Sequence, residues 1–114
     1  RNSRVVEIDA RTQQVTWQYP AAGQPPFFSA IGGAAQRLPN GNTLIVETTA
    51  GRAFEVDAAG RTVWDYRSPH RAGARAELVA ALFQLTRLPA SAADFLAPRN
   101  ASPSTNSSSS ARPR

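Results

Sequence analysis

Two stretches of the chain carry the same pattern of apolar and polar positions. The segments "SRVVEIDARTQQVTWQY" (residues 3–19) and "GRAFEVDAAGRTVWDY" (residues 51–66) both read Arg, two residues, Glu, an apolar residue, Asp, a turn and an alternating run ending on Tyr. The β-branched and alternating apolar residues predict four strands. These are Val5–Ile8, Val15–Tyr19, Ala53–Val56 and Thr62–Tyr66. The chain therefore repeats a β-hairpin with a period of about 48 residues.

Each of the two hairpin turns begins with an Asp. The turns span residues 9–14 and 57–60. An Asp carboxylate at that position can accept hydrogen bonds from backbone N–H groups two residues later. Gly60 is expected to take a positive φ, which Gly adopts without steric cost.

A further hairpin comes directly before the second copy. The stretch "AAQRLPNGNTLIVE" (residues 34–47) predicts two strands, and Asn40-Gly41 predicts a two-residue primed turn between them. A slip of one residue would move Leu44 and Val46 to the other face, so the register is well specified. Together with the second copy this hairpin makes four consecutive antiparallel strands, which is the content of one propeller blade. The predicted fold class is all-β, a β-propeller fragment with one complete four-stranded meander plus half blades.

The remaining segments are less regular. The connector at residues 20–33 is rich in Pro and Gly and carries Phe27-Phe28, which we expect to fill the gap between neighbouring blades. Residues 74–84 have the composition of a short helix, whereas "LFQLTRLP" (residues 82–89) echoes "AAQRLP" and favours a strand at Phe83–Leu88. A short helix is expected at Ala92–Leu96.

Two regions are predicted along the chain. Residues 1–97 are assigned to propeller blades, and residues 98–114 to a disordered Ser-, Pro- and Arg-rich tail, since that composition cannot bury enough apolar area. The tail contains weak glycosylation sequons at Asn100 and Asn106. Because the chain opens in the middle of a blade, we expect it to be the C-terminal part of a longer protein.

The net charge of +5 does not by itself indicate a nucleic-acid partner. All 13 basic residues are Arg and they are scattered singly, which is typical of a solvated basic surface. The chain has no Cys, so disulfides and thiolate metal sites are excluded. We expect no membrane span, since no run approaches about 18 apolar residues, and no metal or cofactor.

Catalytic chemistry is not visible in the residue pattern. His70 is the only His and follows a strand in a loop, where a solvated role is the default. No spacing typical of a nucleophile and its base, or of metal ligands, is present. We therefore assign no catalytic residue to this chain.

The stretch "FFSAIGGAAQRLPNGNTLIVETTAGRAFEVDAAGRTVWDY" resembles the C-terminal blades of the arylsulfotransferase family of β-propellers. The resemblance covers roughly residues 3–89. The pair "EIDARTQQVTW" and "EVDAAGRTVW" is also similar to the docking element of quinoprotein-like propellers, with Gln13 where that motif prefers Gly. The resemblance implies that Trp17 and Trp64 pack between neighbouring blades.

The family resemblance implies transfer of a sulfuryl group between phenols through a sulfated histidine. It implies aryl sulfates or phenols as small-molecule partners, the remaining blades of a parent protein, and a secreted or periplasmic location. Relatives carry a His shortly before the "GAQRLPNG" block, and the aligned position here is Ile31. Either the nucleophile lies outside this chain, or the protein is a non-catalytic propeller that acts as a binding or scaffold module.

In propellers the first strand of each blade lines the central channel, so Gln36 and Arg37 are the candidate substrate-binding residues. They alternate along a strand and should face opposite ways. Arg37 offers a planar fork suited to sulfate oxygens. The alternative for Arg37 is that it covers a neighbouring blade with its long stem.

Overall fold

The computed structural model describes residues 1–96, and the predicted tail with its sequons lies outside them. The strands are β1 (Val5–Ile8), β2 (Val15–Tyr19), β3 (Ala34–Arg37), β4 (Thr43–Glu47), β5 (Arg52–Val56), β6 (Thr62–Arg67), β7 (Arg71–Ala72) and β8 (Leu78–Val79). A 3-10 turn at Thr48–Ala50 separates β4 from β5. A second 3-10 turn, Ala90–Ala92, leads into a short helix α1, Ala93–Leu96.

The predicted all-β class and the predicted hairpins are confirmed. Strands β3-β4-β5-β6 form one four-stranded antiparallel sheet in chain order, and β1-β2 and β7-β8 form separate two-stranded sheets. The two repeat copies agree in detail, because the register shifts between Glu7 and Ile8 in the first and between Glu55 and Val56 in the second. The copies are therefore equivalent residue by residue at these positions.

The hydrophobic core lies between the first hairpin and one face of the four-stranded sheet. The sheet contributes Ile45, Phe54 and Val56, which are almost fully buried. Against them pack partly buried side chains from the hairpin and connector, namely Val5, Trp17, Tyr19 and Phe27. The ring of Phe54 lies 5.7 Å from that of Tyr19 and 6.0 Å from that of Phe27. Phe27 thus fills the gap between the sheets as expected, whereas Phe28 is exposed.

The two turns that begin with Asp have the expected hydrogen bonds. Asp9 Oδ1 accepts from the backbone N–H groups of Arg11 and Thr12, both at 2.8 Å. Asp57 Oδ1 accepts from those of Ala59 at 3.0 Å and Arg61 at 2.9 Å. These contacts stabilise the charged form of each carboxylate. The N–H groups of Thr12 and Arg11 hold the pKa of Asp9 below its ordinary value. The N–H group of Arg61 is the main cause of the lowered pKa of Asp57.

Gln13 and Gly60 occupy equivalent places in these turns. Each directly precedes the residue whose carbonyl accepts the Asp backbone N–H, and both have positive φ, 58° and 79°. The positive φ expected for Gly60 is confirmed, whereas Gln13 has a side chain that is sterically strained in the left-handed region.

We expect Gln13→Gly to raise the free energy of unfolding by about 0.5–1 kcal/mol, because the relief of this strain exceeds the entropy that Gly adds to the unfolded chain. Urea unfolding measures the change in free energy. Gln14→Gly is the control and should lower the free energy of unfolding. Equal changes in the two variants would contradict the prediction that Gln13 is strained.

The loop between β3 and β4 differs from the expected primed turn. Leu38 N–H donates to the Asn42 carbonyl at 2.9 Å and Gly41 N–H to the Leu38 carbonyl at 3.0 Å. Gly41 has φ of 87°, whereas Asn40 has no positive φ. The loop is therefore three residues long, a type I turn followed by a left-handed Gly. Pro39 favours the three-residue loop over the primed turn, because its fixed φ near −65° suits the second position of a type I turn.

The predictions for residues 74–88 are wrong in part. The structure shows neither a helix at 74–84 nor a strand at Phe83–Leu88, but the short strand β8 and then chain without regular structure. Leu82 N–H donates to the Thr48 carbonyl at 3.1 Å, and beyond it the segment is held by side chains rather than by a ladder. A strand needs a neighbour to satisfy its backbone groups. The short helix at the end is confirmed, beginning one residue later than expected.

Candidate functional site

Strand β3 is an edge strand of the four-stranded sheet, and its side chains alternate between the two faces. Gln36 lies opposite Leu44 and Arg37 opposite Thr43. The expectation that Gln36 and Arg37 face opposite ways is therefore confirmed. The same alternation separates the environments of the two candidate substrate-binding residues.

Gln36 is half-buried and binds the backbone of the C-terminal segment. Its Oε1 accepts from the Arg87 N–H at 2.9 Å, and its Nε2 donates to the Arg87 carbonyl at 3.3 Å. Both ends of the amide are engaged within the chain. The contact holds residue 87 against the sheet face opposite the first hairpin.

Arg37 binds the first hairpin. Its Nε donates to Glu7 Oε2 at 2.7 Å, its Nη2 reaches the same oxygen, and its Nη1 donates to the Gly41 carbonyl at 2.8 Å. The guanidinium carbon also lies 4.6 Å from the centroid of the Trp17 ring. All three nitrogens are engaged, so in this structure Arg37 covers the neighbouring hairpin.

A cleft of 320 Å³ lies at the amino end of β3, where the connector meets β1. Its polar wall is formed by Ser3, Arg4, Ser29, Gly32 and Gly33. Its apolar wall is formed by Val5, Phe27, Ala34, Ala35, Ile45 and Val46. The sequence pattern did not single out this cleft, although the Gly32-Gly33 pair after a long connector was a visible signal.

Gly32 and Gly33 allow the connector to lie flat against the sheet. Their φ angles are 70° and 148°, which residues with a Cβ rarely adopt. A Cβ on Gly32 would lie 3.3 Å from Thr48 Oγ1, and one on Gly33 would lie 3.4 Å from the Val46 carbonyl oxygen. The close approach brings the loop over the 3-10 turn and shapes one side of the cleft.

The two serines of the cleft fix the connector in place. Ser29 N–H donates to Ser3 Oγ at 3.1 Å, and Thr48 N–H donates to Ser29 Oγ at 3.1 Å. Thr48 Oγ1 is buried beneath them and has no hydrogen-bond partner among residues 1–96. The polar wall is therefore held by hydrogen bonds from β1, the connector and the 3-10 turn.

Arg4 is an exposed residue at the edge of the cleft. It is equivalent to Arg52 in the second copy, whose guanidinium bonds to Asp65 and Glu47. Gln18 stands where the second copy has Asp65. Within the part of the chain that the structure describes, Arg4 has no carboxylate within salt-bridge distance. The first copy therefore presents an Arg whose charge no carboxylate of residues 1–96 neutralises.

Neither Ile31 nor His70 supplies a nucleophile to the cleft. Ile31 lies in the connector between Ser29 and Gly32 and is 71% exposed. His70 lies in the loop after β6, is exposed, and is not among the residues that line the cleft. In residues 1–96 no group of three or more His, Cys, Asp and Glu side chains is placed to hold a metal ion.

Residues 1–69 match the family model described as arylsulfotransferase (ASST), so the chain belongs to the arylsulfotransferase family. No curated protein and no solved structure matches the chain. Among the described helices, none has the length and apolar character needed to cross a bilayer.

Proposed function

We propose that this chain works within a larger arylsulfotransferase propeller that transfers a sulfuryl group between phenolic compounds, and that it contributes an anion contact but no nucleophile. The observation that carries the proposal is the family match over residues 1–69, which include the cleft at the amino end of β3 and Arg4 at its edge, a residue without a salt-bridge partner among residues 1–96. The remaining blades of the parent protein supply the other groups.

The cleft has the chemistry that an aryl sulfate requires. Its volume of 320 Å³ is at the lower end of the range for small-molecule sites. In this proposal the exposed guanidinium of Arg4 reaches over the edge of the cleft and donates two parallel hydrogen bonds to sulfate oxygens. Phe27 and Val5 provide an apolar wall for the aromatic ring. An anion held in this way is stabilised as negative charge develops during transfer, and such stabilisation is usually a large catalytic contribution.

A second candidate function is a non-catalytic binding or scaffold propeller. The observation that favours it is Ile31, an exposed apolar residue beside the cleft, at the position where relatives carry a His. An Ile cannot accept a sulfuryl group. In this case the cleft would bind an aromatic anion without transferring its sulfuryl group.

The test is an activity assay of the full-length protein with a nitrophenyl sulfate donor and a phenol acceptor. Arg4→Gln should lower kcat/KM by about 10–100-fold, the effect of losing a charged hydrogen bond. Arg11→Gln is the matched control, because Arg11 is exposed in the β1–β2 turn away from the cleft. Equal changes in kcat/KM for the two variants would show that Arg4 does not contact the substrate.

Two further outcomes separate the candidate functions. Absence of transfer by the unmodified protein, with retained binding of the aryl sulfate, would favour the scaffold. In an active protein, His70→Ala should leave a trapped sulfated intermediate intact. Its loss in that variant would show that this loop histidine is the nucleophile and would overturn the proposal.

A further inference from the structure

The loop between β3 and β4 carries the one Asn-Gly pair of the sequence, Asn40-Gly41. Both residues are exposed, and a Cβ built on Gly41 would meet no atom within 4 Å. The backbone nitrogen of the residue after an Asn can attack the side-chain amide, and Gly obstructs this attack least because it has no Cβ. The chemistry of the pair therefore makes Asn40 a candidate for deamidation.

Deamidation passes through a ring that the side chain of Asn40 forms with the backbone of Gly41. The Gly41 nitrogen gives up its proton and bonds to Asn40 Cγ. The Cγ–Nδ2 bond breaks, and the amide takes up the proton and leaves as ammonia. Water then opens the resulting succinimide at either of its carbonyls. The products are Asp and isoaspartate, in which the main chain runs through Cβ and Cγ.

The folded loop opposes this reaction. The Gly41 N–H donates to the Leu38 carbonyl at 3.0 Å, and Asn40 Oδ1 accepts from the Asn42 N–H at 3.0 Å. In a type I turn ψ at the position of Asn40 is about 0°, which eclipses the Gly41 nitrogen with the Asn40 nitrogen. Ring closure instead requires the Gly41 nitrogen to be eclipsed with Asn40 Cβ. The loop must therefore open before the nitrogen can attack.

The products place a new charge beside a buried carboxylate. Asn40 Nδ2 lies 3.5 Å from Glu55 Oε1, and Asn42 Nδ2 donates to the same oxygen at 2.7 Å. Glu55 is 5% exposed, and the Arg87 guanidinium bonds to its other oxygen at 2.7 Å. In the Asp product a carboxylate oxygen takes the place of Nδ2, so a like charge replaces a donor. Isoaspartate also lengthens the main chain inside a three-residue loop.

We propose that Asn40 is a modification site, that its deamidation is coupled to opening of the β3–β4 loop, and that the product holds the loop open. The hydrogen bonds of the loop set the rate, because the reaction occurs from the open state. Repulsion between residue 40 and Glu55 then opposes closing, so a transient opening becomes permanent. The proposal does not depend on sulfuryl transfer.

The first test compares the folded with the unfolded chain. The full-length protein is incubated at mildly alkaline pH with and without urea, and peptide mapping by mass spectrometry follows the conversion of Asn40. Conversion in the folded protein should be about 10–100-fold slower than in urea, the effect of two hydrogen bonds that must open. Asn42 is the internal control and should convert more slowly than Asn40 in urea, because the branched Thr43 follows it. Equal rates at Asn40 in the two conditions would overturn the coupling, and no conversion in urea would overturn the modification site.

A second test changes the loop without changing the reacting pair. Pro39 fixes φ within the turn, so Pro39→Ala should let the loop open more often. The folded-state conversion of Asn40 should rise about twofold to fivefold, with an unchanged rate in urea. Pro26→Ala is the matched control, because Pro26 is an exposed proline of the connector. An unchanged folded-state rate in Pro39→Ala would show that the turn does not control the reaction.

A third test concerns the product. Asn40→Asp should lower the urea concentration at the unfolding midpoint, and it should lower it less in a Glu55→Gln background, where the repulsion is absent. Asn2→Asp is the control, because Asn2 is exposed and precedes β1. An equal decrease in the two backgrounds would show that residue 40 and Glu55 do not repel each other. That result would overturn the claim that the product holds the loop open.

Discussion

Replacing Phe54 with Ala should lower the free energy of unfolding by about 3–5 kcal/mol, the usual cost of truncating a fully buried aromatic side chain. Phe54 is 0% exposed and lies in the core between the four-stranded sheet and the first hairpin. Its ring contacts Tyr19 and Phe27, and the Arg52 guanidinium carbon lies 4.1 Å from its centroid. The substitution therefore leaves a cavity that three different elements line.

Urea unfolding of the full-length protein, followed by circular dichroism, measures this loss. Phe95→Ala is the matched control, since Phe95 is 89% exposed and its truncation should change the unfolding free energy by less than about 0.5 kcal/mol. A loss for Phe54→Ala no larger than that for Phe95→Ala would mean that the sheet and the hairpin do not share one core.

The strands and their order could be predicted from the sequence because the deciding signals are local. Period-two alternation and turn residues specify each hairpin, and the repetition of the hairpin supports the assignment of both copies. Asp9 and Asp57 act through backbone groups only two to four residues away. Such contacts require no knowledge of the rest of the fold.

The errors arose where a local signal had two solutions or needed a distant partner. Asn40-Gly41 fits a primed turn, but Pro39 before it favours the three-residue loop that forms. The segment at Phe83–Leu88 has a strand-like pattern, yet strand pairing depends on a neighbour that is absent from residues 1–96. Propensity cannot supply that neighbour.

The cleft was missed because it is assembled from β1, the connector and β3, which are distant in sequence. One signal was nevertheless present in the alignment of the two copies. Gln18 replaces the Asp65 that pairs with Arg52, so the loss of a partner for Arg4 could have been inferred from the repeat alone. For Arg37, the sequence left two roles open, and its neighbours Glu7 and Trp17 became visible only in the folded arrangement.

Trp17 and Trp64 should differ in their effect on stability, although the repeat makes them equivalent. Trp17 is half-buried between the hairpin and the four-stranded sheet, and its Nε1 donates to the Ala58 carbonyl at 3.1 Å. The Arg37 guanidinium covers its other face. Trp64 is 37% exposed and stacks on Tyr66, with ring centroids 6.2 Å apart.

We therefore expect Trp17→Ala to lower the free energy of unfolding by about 3 kcal/mol, and Trp64→Ala by about half as much, because the cost follows the buried area that is lost. Trp17→Phe should lose about 1 kcal/mol, since it removes the hydrogen bond to Ala58 but keeps most of the apolar contact. Urea unfolding of the full-length protein gives all three values. An equal loss for the two Ala variants would show that Trp64 is covered as completely as Trp17. A loss of aryl sulfate binding in Trp17→Ala without any change in stability would instead contradict the structural role of this residue.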